Sequence, residues 1–146
     1  MKRIANAQWS GTGLEGKGST TTPTSGAIKD MPFDFKARFQ NEDGTAGTNP
    51  EELLAAGHAA CFSMALSFQL AGAGFPAESI ATSATLTMDK DAEGAGWTIT
   101  KVHLDVKVSA PGIGAEAFAT ATGNAKAGCP VSKLFNCEIT MDAVLL

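Results

Sequence analysis

Cysteine is scarce, basic residues never cluster, and no repeat divides the chain. Each shortage removes a class of protein. Three cysteines in 146 residues, Cys61, Cys129 and Cys137, are too few and too far apart to staple a small secreted scaffold. They are expected to rest as thiols in a reducing compartment. Acidic residues outnumber basic ones 15 to 11 and no Lys/Arg run occurs, so neither nucleic acid nor an anionic membrane is an expected partner. The start, Met1 to Trp9, carries two basic residues but lacks the apolar stretch of about 7 or more that a secretory signal needs, and a cytoplasmic protein is expected. Metal spacing is also missing: His58 and His103 form no ligand pattern with each other or with the cysteines. There is no Ser/His/Asp set and no paired-carboxylate motif. Gly11-Thr12-Gly13 lacks the third glycine and the strand–turn–helix setting of a dinucleotide site. Neither a metal nor a bound cofactor is expected.

What is present is an ordinary globular composition, 44% hydrophobic and 18% charged, in a length suited to one α+β domain over residues 1–146. Residues 2–40 mix apolar alternation with Gly, Thr and Pro, the punctuation of a small antiparallel meander. Phe33, Phe35, Ala37 and Phe39 alternate with Asp34, Lys36, Arg38 and Gln40, which predicts a half-buried strand with Arg38 on its polar side. Residues 41–48 form a polar loop. Two alternating runs, 82–89 and 97–108, predict a hairpin, the Ala-rich run 115–127 a helix, and residues 137–146 a closing strand.

Asn49-Pro50-Glu51-Glu52 is a helix start, with Asn as N-cap and Pro at the first helical position. The helix is predicted to run to about Ala71. Leu53 through Phe75 holds no charged side chain and is long enough to span a bilayer. It nevertheless carries His58, Ser63, Ser67 and Gln69 and is padded with Ala and Gly, which favours a buried core helix. Being apolar nearly all round, it must be enclosed by sheet or by another subunit, and this points to a dimer.

The thiols are the reactive candidates. Cys61 sits mid-helix, where a cysteine usually packs as a small apolar group. Cys129 precedes Pro130 at the predicted start of a short helix, where unpaired backbone N–H groups and the dipole favour the thiolate. Cys137 lies on the apolar stripe of the last strand and reads as core. His58, one helical turn before Cys61, is either a neighbour that tunes that thiol or a packing residue. His103 shares a polar strand face with Lys101, Asp105 and Lys107 and reads as surface. Taken alone, Glu51 reads as a helix-start carboxylate and Arg38 as a solvated strand residue.

Thr48-Asn49-Pro50-Glu51-Glu52 followed by His58-Ala59-Ala60-Cys61-Phe62-Ser63-Met64, together with Ala127-Gly128-Cys129-Pro130-Val131-Ser132 and Ala37-Arg38-Phe39, closely resembles the OsmC/Ohr family of thiol peroxidases, and its OsmC branch in particular. The resemblance implies antiparallel sheets wrapped around long central helices in an intertwined homodimer. It implies that Cys61 attacks the O–O bond of an organic hydroperoxide and becomes a sulfenic acid. Cys129 then captures it as a disulfide, which an external dithiol, for example a dihydrolipoyl group, reduces. It further assigns Arg38 and Glu51 to the charged pair that activates the thiolate. An arginine would counter the rise in pKa that an apolar site imposes on a thiol, with Glu51 orienting its guanidinium. In an unbroken helix Glu51 and Cys61 lie about 15 Å apart, so each site is expected to take Glu51 from the partner subunit. Two other readings use the same apolar cleft: a non-catalytic small-molecule or lipid-binding protein, and a redox sensor.

Overall fold

The computed structural model describes residues 1–41, 45 and 47–146, so most of the predicted 41–48 loop's tip, residues 42–44 and 46, lies outside the described residues. The chain folds as two compact units, Met1–Leu53 and Leu54–Leu146.

The first unit is built on an antiparallel three-stranded meander, β1 (Asn6–Ser10), β2 (Lys17–Thr21) and β3 (Met31–Asp34), in the order β1-β2-β3. Gly18 faces Phe33 across the β2–β3 pairing and Trp9 across β1–β2. A side chain at Gly18 would strike both rings, which lie 5.7 Å apart. The predicted strand through residue 40 ends early. At Asp34 the carboxylate accepts a hydrogen bond from the Ala37 amide at 2.7 Å and starts a short helix, α1 (Phe35–Phe39). Phe35 and Phe39, four residues apart, then meet at 5.0 Å. Five residues of alternation satisfied both periods, and the Asp34 cap decided between them.

The long helix α2 (Pro50–Gly72) begins as its sequence predicts: the Glu52 amide donates to the Asn49 side chain at 2.8 Å. In the second unit, β4 (Ser79–Lys90) and β5 (Trp97–Ser109) form the predicted hairpin, with a register shift at Thr87/Met88. The chain then crosses through α3 (Ala115–Gly128) and α4 (Pro130–Leu134), and β6 (Glu138–Leu145) returns parallel to β5. A parallel return requires such a crossover of a dozen or more residues. Phe62, Leu66 and Leu70 of α2 pack with Leu104, Val106 and Val108 of β5 and Phe118, Ala121 and Ala125 of α3 in one core. On the opposite face of α2, Met64 and Phe68 are exposed at 64% and 71%.

Candidate active site

Cys61 and Cys129, 68 residues apart in sequence, meet with their sulfurs 3.0 Å apart. Cys61 reaches the meeting point from the middle of α2, on the face that also carries the buried Phe62. Cys129 is held by both neighbouring helices. Its N–H donates to the Ala125 carbonyl at 2.9 Å and closes α3, while its carbonyl accepts from the Lys133 amide at 3.1 Å and opens α4. It is the N-cap of α4, with Pro130 at the first position, as the sequence predicts. Cys129 is completely buried and Cys61 is partly exposed.

The two thiols are electrostatically unequal. Burial pushes the Cys61 thiol up, and its contact with Cys129 adds to that rise, against a smaller lowering by the Val131 amide. Burial also pushes Cys129 up. There, however, the hydrogen bond from Cys61, the amide and hydroxyl of Ser132 and the amide of Val131 outweigh it and hold Cys129 below the ordinary thiol value. In the neutral pair Cys129 is the donor to Cys61. When one proton leaves, Cys61 keeps the shared proton and Cys129 carries the charge, because the amides at the start of α4 face Cys129.

His58, one turn before Cys61, is completely buried. Its Nε2 lies 2.8 Å from the Ser132 hydroxyl, its ring packs on Phe135 at 5.3 Å, and its Nδ1 has no partner among the described residues. Burial lowers its pKa, so the ring is neutral. Of the two sequence readings for His58, a tuning neighbour or a packing residue, its hydrogen bond goes to the cysteine-bearing helix start. Ser132 itself was missed by sequence reasoning. Its sequence signals were its place at the end of the Ala127–Ser132 motif and three residues after a cap position.

In the first unit Arg38 and Glu51 form a two-pronged ion pair, Nε to Oε2 at 3.1 Å and Nη2 to Oε1 at 2.5 Å. The guanidinium also lies 4.9 Å from the centre of the Phe39 ring. The start of α2 supplies Glu51 and α1 supplies Arg38, so the helical turn after Asp34 positions the guanidinium. Cys137 falls one residue before β6, half-buried, beside Lys126, Ser132, Lys133 and Phe135. His103 is partly buried and its Nδ1 bonds the Thr140 hydroxyl at 2.7 Å. Among the described residues, the one group whose donor atoms lie close enough to share a cation is His103, Asp105 and Asp142, all within 4.8 Å, on the solvent side of the sheet.

Residues 41–143 match the family model described as OsmC-like protein. The chain is 48% identical over 142 residues to Peroxiredoxin OsmC of Escherichia coli, covering 97% of this chain and 95% of that one. Among solved structures, an OsmC-like protein of Vibrio cholerae aligns with a TM-score of 0.78 at 15% identity, covering 99% of both chains. The organic hydroperoxide resistance protein OhrB of Bacillus subtilis aligns at 0.67 and 23% identity, over 97% of this chain and 98% of that one. These two structural likenesses bear on the fold.

Proposed function

The chain belongs to the OsmC-like family and is a peroxidase, and from that premise we propose that it reduces organic hydroperoxides through Cys61 and Cys129. The observation that carries this reading is the 3.0 Å separation of the two sulfurs. A disulfide needs about 2.05 Å between sulfurs, so the pair closes with a movement of roughly 1 Å.

Access supports this division of roles. Cys61 is partly exposed and Cys129 is wholly buried, so peroxide reaches Cys61 first. The Cys61 thiolate attacks the outer peroxide oxygen, the O–O bond breaks, and the alcohol leaves after taking a proton. The resulting Cys61 sulfenic acid is attacked by the Cys129 thiolate: an S–S bond forms, the S–O bond breaks, and water departs. An external dithiol then restores both thiols by exchange. Within its own unit Cys61 is pushed toward the neutral thiol, so it needs a cation from elsewhere, and the Arg38–Glu51 pair is suited to supply one.

Along unbroken α2 ten residues separate Glu51 from Cys61, about 15 Å. In our reading the protein is a homodimer in which each thiol pair works with Arg38 and Glu51 of the partner subunit. The exposed Met64 and Phe68 of α2 support a second copy as their cover. The requirement for resting thiols fits a cytoplasmic enzyme, and the apolar sequence neighbours of Cys61 on α2, Ala60, Phe62 and Met64, suit substrates with hydrocarbon tails.

Steady-state consumption of cumene hydroperoxide with a dithiol reductant tests the reading. Wild type should turn over and prefer this substrate to hydrogen peroxide, and Cys61→Ser should be inactive. A Cys61→Ser protein that turns over as wild type does would refute it, as would a wild type that only binds the hydroperoxide.

A further inference from the structure

Two helices meet at the thiol pair through two rungs. Helix α2 presents His58 and Cys61 three residues apart, and the start of α4 presents Cys129 and Ser132 three residues apart, so each pair shares a face. One rung joins Cys61 to Cys129 at 3.0 Å; the other joins His58 Nε2 to Ser132 Oγ at 2.8 Å. The peroxidase reading uses the first rung and leaves the second without a role. A histidine that only filled space would be better replaced by an apolar side chain, because its buried Nδ1 has no partner among the described residues.

The neutral ring carries a single N–H. If the proton sat on Nδ1, a buried donor would meet no acceptor among the described residues and Nε2 would accept the Ser132 hydroxyl proton. If it sits on Nε2, it makes the 2.8 Å bond to Ser132 Oγ and leaves only a bare lone pair at Nδ1. Buried N–H groups without a partner are the rarer defect, so Nε2–H is assigned. The Ser132 hydroxyl proton is then free to point at Cys129, one turn back.

We propose that His58 is a positioning residue for disulfide formation: by donating Nε2–H to Ser132 it turns the Ser132 hydroxyl onto Cys129 and holds that sulfur as the attacking thiolate. The proposal rests on the reading of Cys61 as the peroxidatic and Cys129 as the resolving thiol. Timing gives Ser132 its importance. While Cys61 is still a thiol its S–H also donates to the Cys129 thiolate, but a Cys61 that has become the sulfenic acid has no S–H to give. The Ser132 hydroxyl and the amides of Val131 and Ser132 are the donors that remain when Cys129 attacks. In that step the Cys129–Cys61 S–S bond forms, the Cys61 S–O bond breaks, and the departing hydroxide takes a proton to become water. The titratable groups around this step are His58 and Cys61 from α2, Lys126 from α3, Lys133 from α4 and Cys137 ahead of β6. Lys126 is engaged with the Ile139 carbonyl at 3.1 Å.

The test is single-turnover oxidation of the full-length protein by cumene hydroperoxide from about pH 5 to pH 9, following the Cys61 sulfenic acid and the disulfide separately. In Ser132→Ala and in His58→Leu, closure should slow about tenfold at neutral pH, the midpoint of its pH profile should rise by about 1, and the sulfenic acid should accumulate. Ser132→Thr and His58→Gln, which restore a hydroxyl and a donor, should recover most of the rate. A His58→Leu protein that does not fold leaves the smaller Ser132→Ala change to decide. A midpoint unmoved in Ser132→Ala overturns the proposal, because a merely structural role would change yield or stability but not the ionisation of Cys129. Absence of any sulfenic acid on wild-type Cys61 overturns the underlying reading instead, and the two failures are told apart by the residue that mass spectrometry finds oxidised.

Discussion

At the scale of single residues, the chemistry of the site is a contest between burial and hydrogen bonding at two sulfurs. The capping argument from sequence placed built-in activation at Cys129, and the structure gives that residue the lowered pKa and Cys61 the raised one. The hydrogen bond from Cys61 is the largest cause of that lowering and was not legible, whereas the smaller share from the Ser132 and Val131 amides was, because a cysteine ahead of Pro130 faces the amides of a helix start. The meeting of Cys61 with Cys129 was implied only by family resemblance, since 68 residues of chain separate them and no local pattern encodes that contact. Removing the Cys61 donor should show the coupling. In Cys61→Ala the pH midpoint of the Cys129 thiolate, followed by ultraviolet thiolate absorbance, should move upward; an unmoved midpoint would mean that Cys61 does not stabilise it. His58 has a separate signature. Because burial lowers its pKa, the unfolded chain takes a proton at about pH 6.5 that the folded chain refuses. Its contribution to stability is thus present above that pH and is lost as the pH falls toward the folded value. Urea denaturation should show this acid slope in wild type and a shallower one in His58→Gln.

At the scale of elements, boundaries with a capping residue were legible and those set by distant partners were not. Asn49 and Pro50 fixed the start of α2 because the cap is a contact within four residues. Asn49→Ala should cost about 1 kcal/mol, and Leu66→Ala, which empties part of the core shared with β5 and α3, about 2–5 kcal/mol. Both are checked by chemical denaturation, and a smaller loss at Leu66 than at Asn49 would contradict the burial described here. The alternation over residues 33–40 predicted a strand, yet α1 forms because Asp34 caps it and because Phe35 and Phe39 are also helical neighbours. That turn gives Arg38 its reach to Glu51. The parallel pairing of β6 with β5 had no local signal, since it depends on where the α3–α4 crossover delivers the chain.

At the scale of the molecule, the hydrophobic excess of α2 is the feature that one chain leaves unresolved. His58, Phe62, Leu66 and Leu70 are buried within the chain, while Met64 and Phe68 on the other side stay exposed. The sequence predicted an enclosed helix from its composition; the chain encloses half of it, and the homodimer we propose encloses the rest. Glutamates at positions 64 and 68 should therefore give monomers in sedimentation and abolish turnover, with the Cys61–Cys129 contact intact. Monomeric wild type at working concentration would contradict this. The single-domain reading of residues 1–146 carries its own expectation, one cooperative transition in calorimetry, against two if the units Met1–Leu53 and Leu54–Leu146 melt apart.

The central claim is the division of labour between the two sulfurs, and the direct measurement is to trap the sulfenic acid formed by one equivalent of cumene hydroperoxide and locate it by mass spectrometry. The account predicts a trapped sulfenic acid on Cys61 in Cys129→Ser and none on Cys129 in Cys61→Ser. A sulfenic acid on Cys129 in Cys61→Ser, formed as fast as wild type loses its thiols, would make the buried, low-pKa sulfur the one that peroxide attacks and would contradict the assignment.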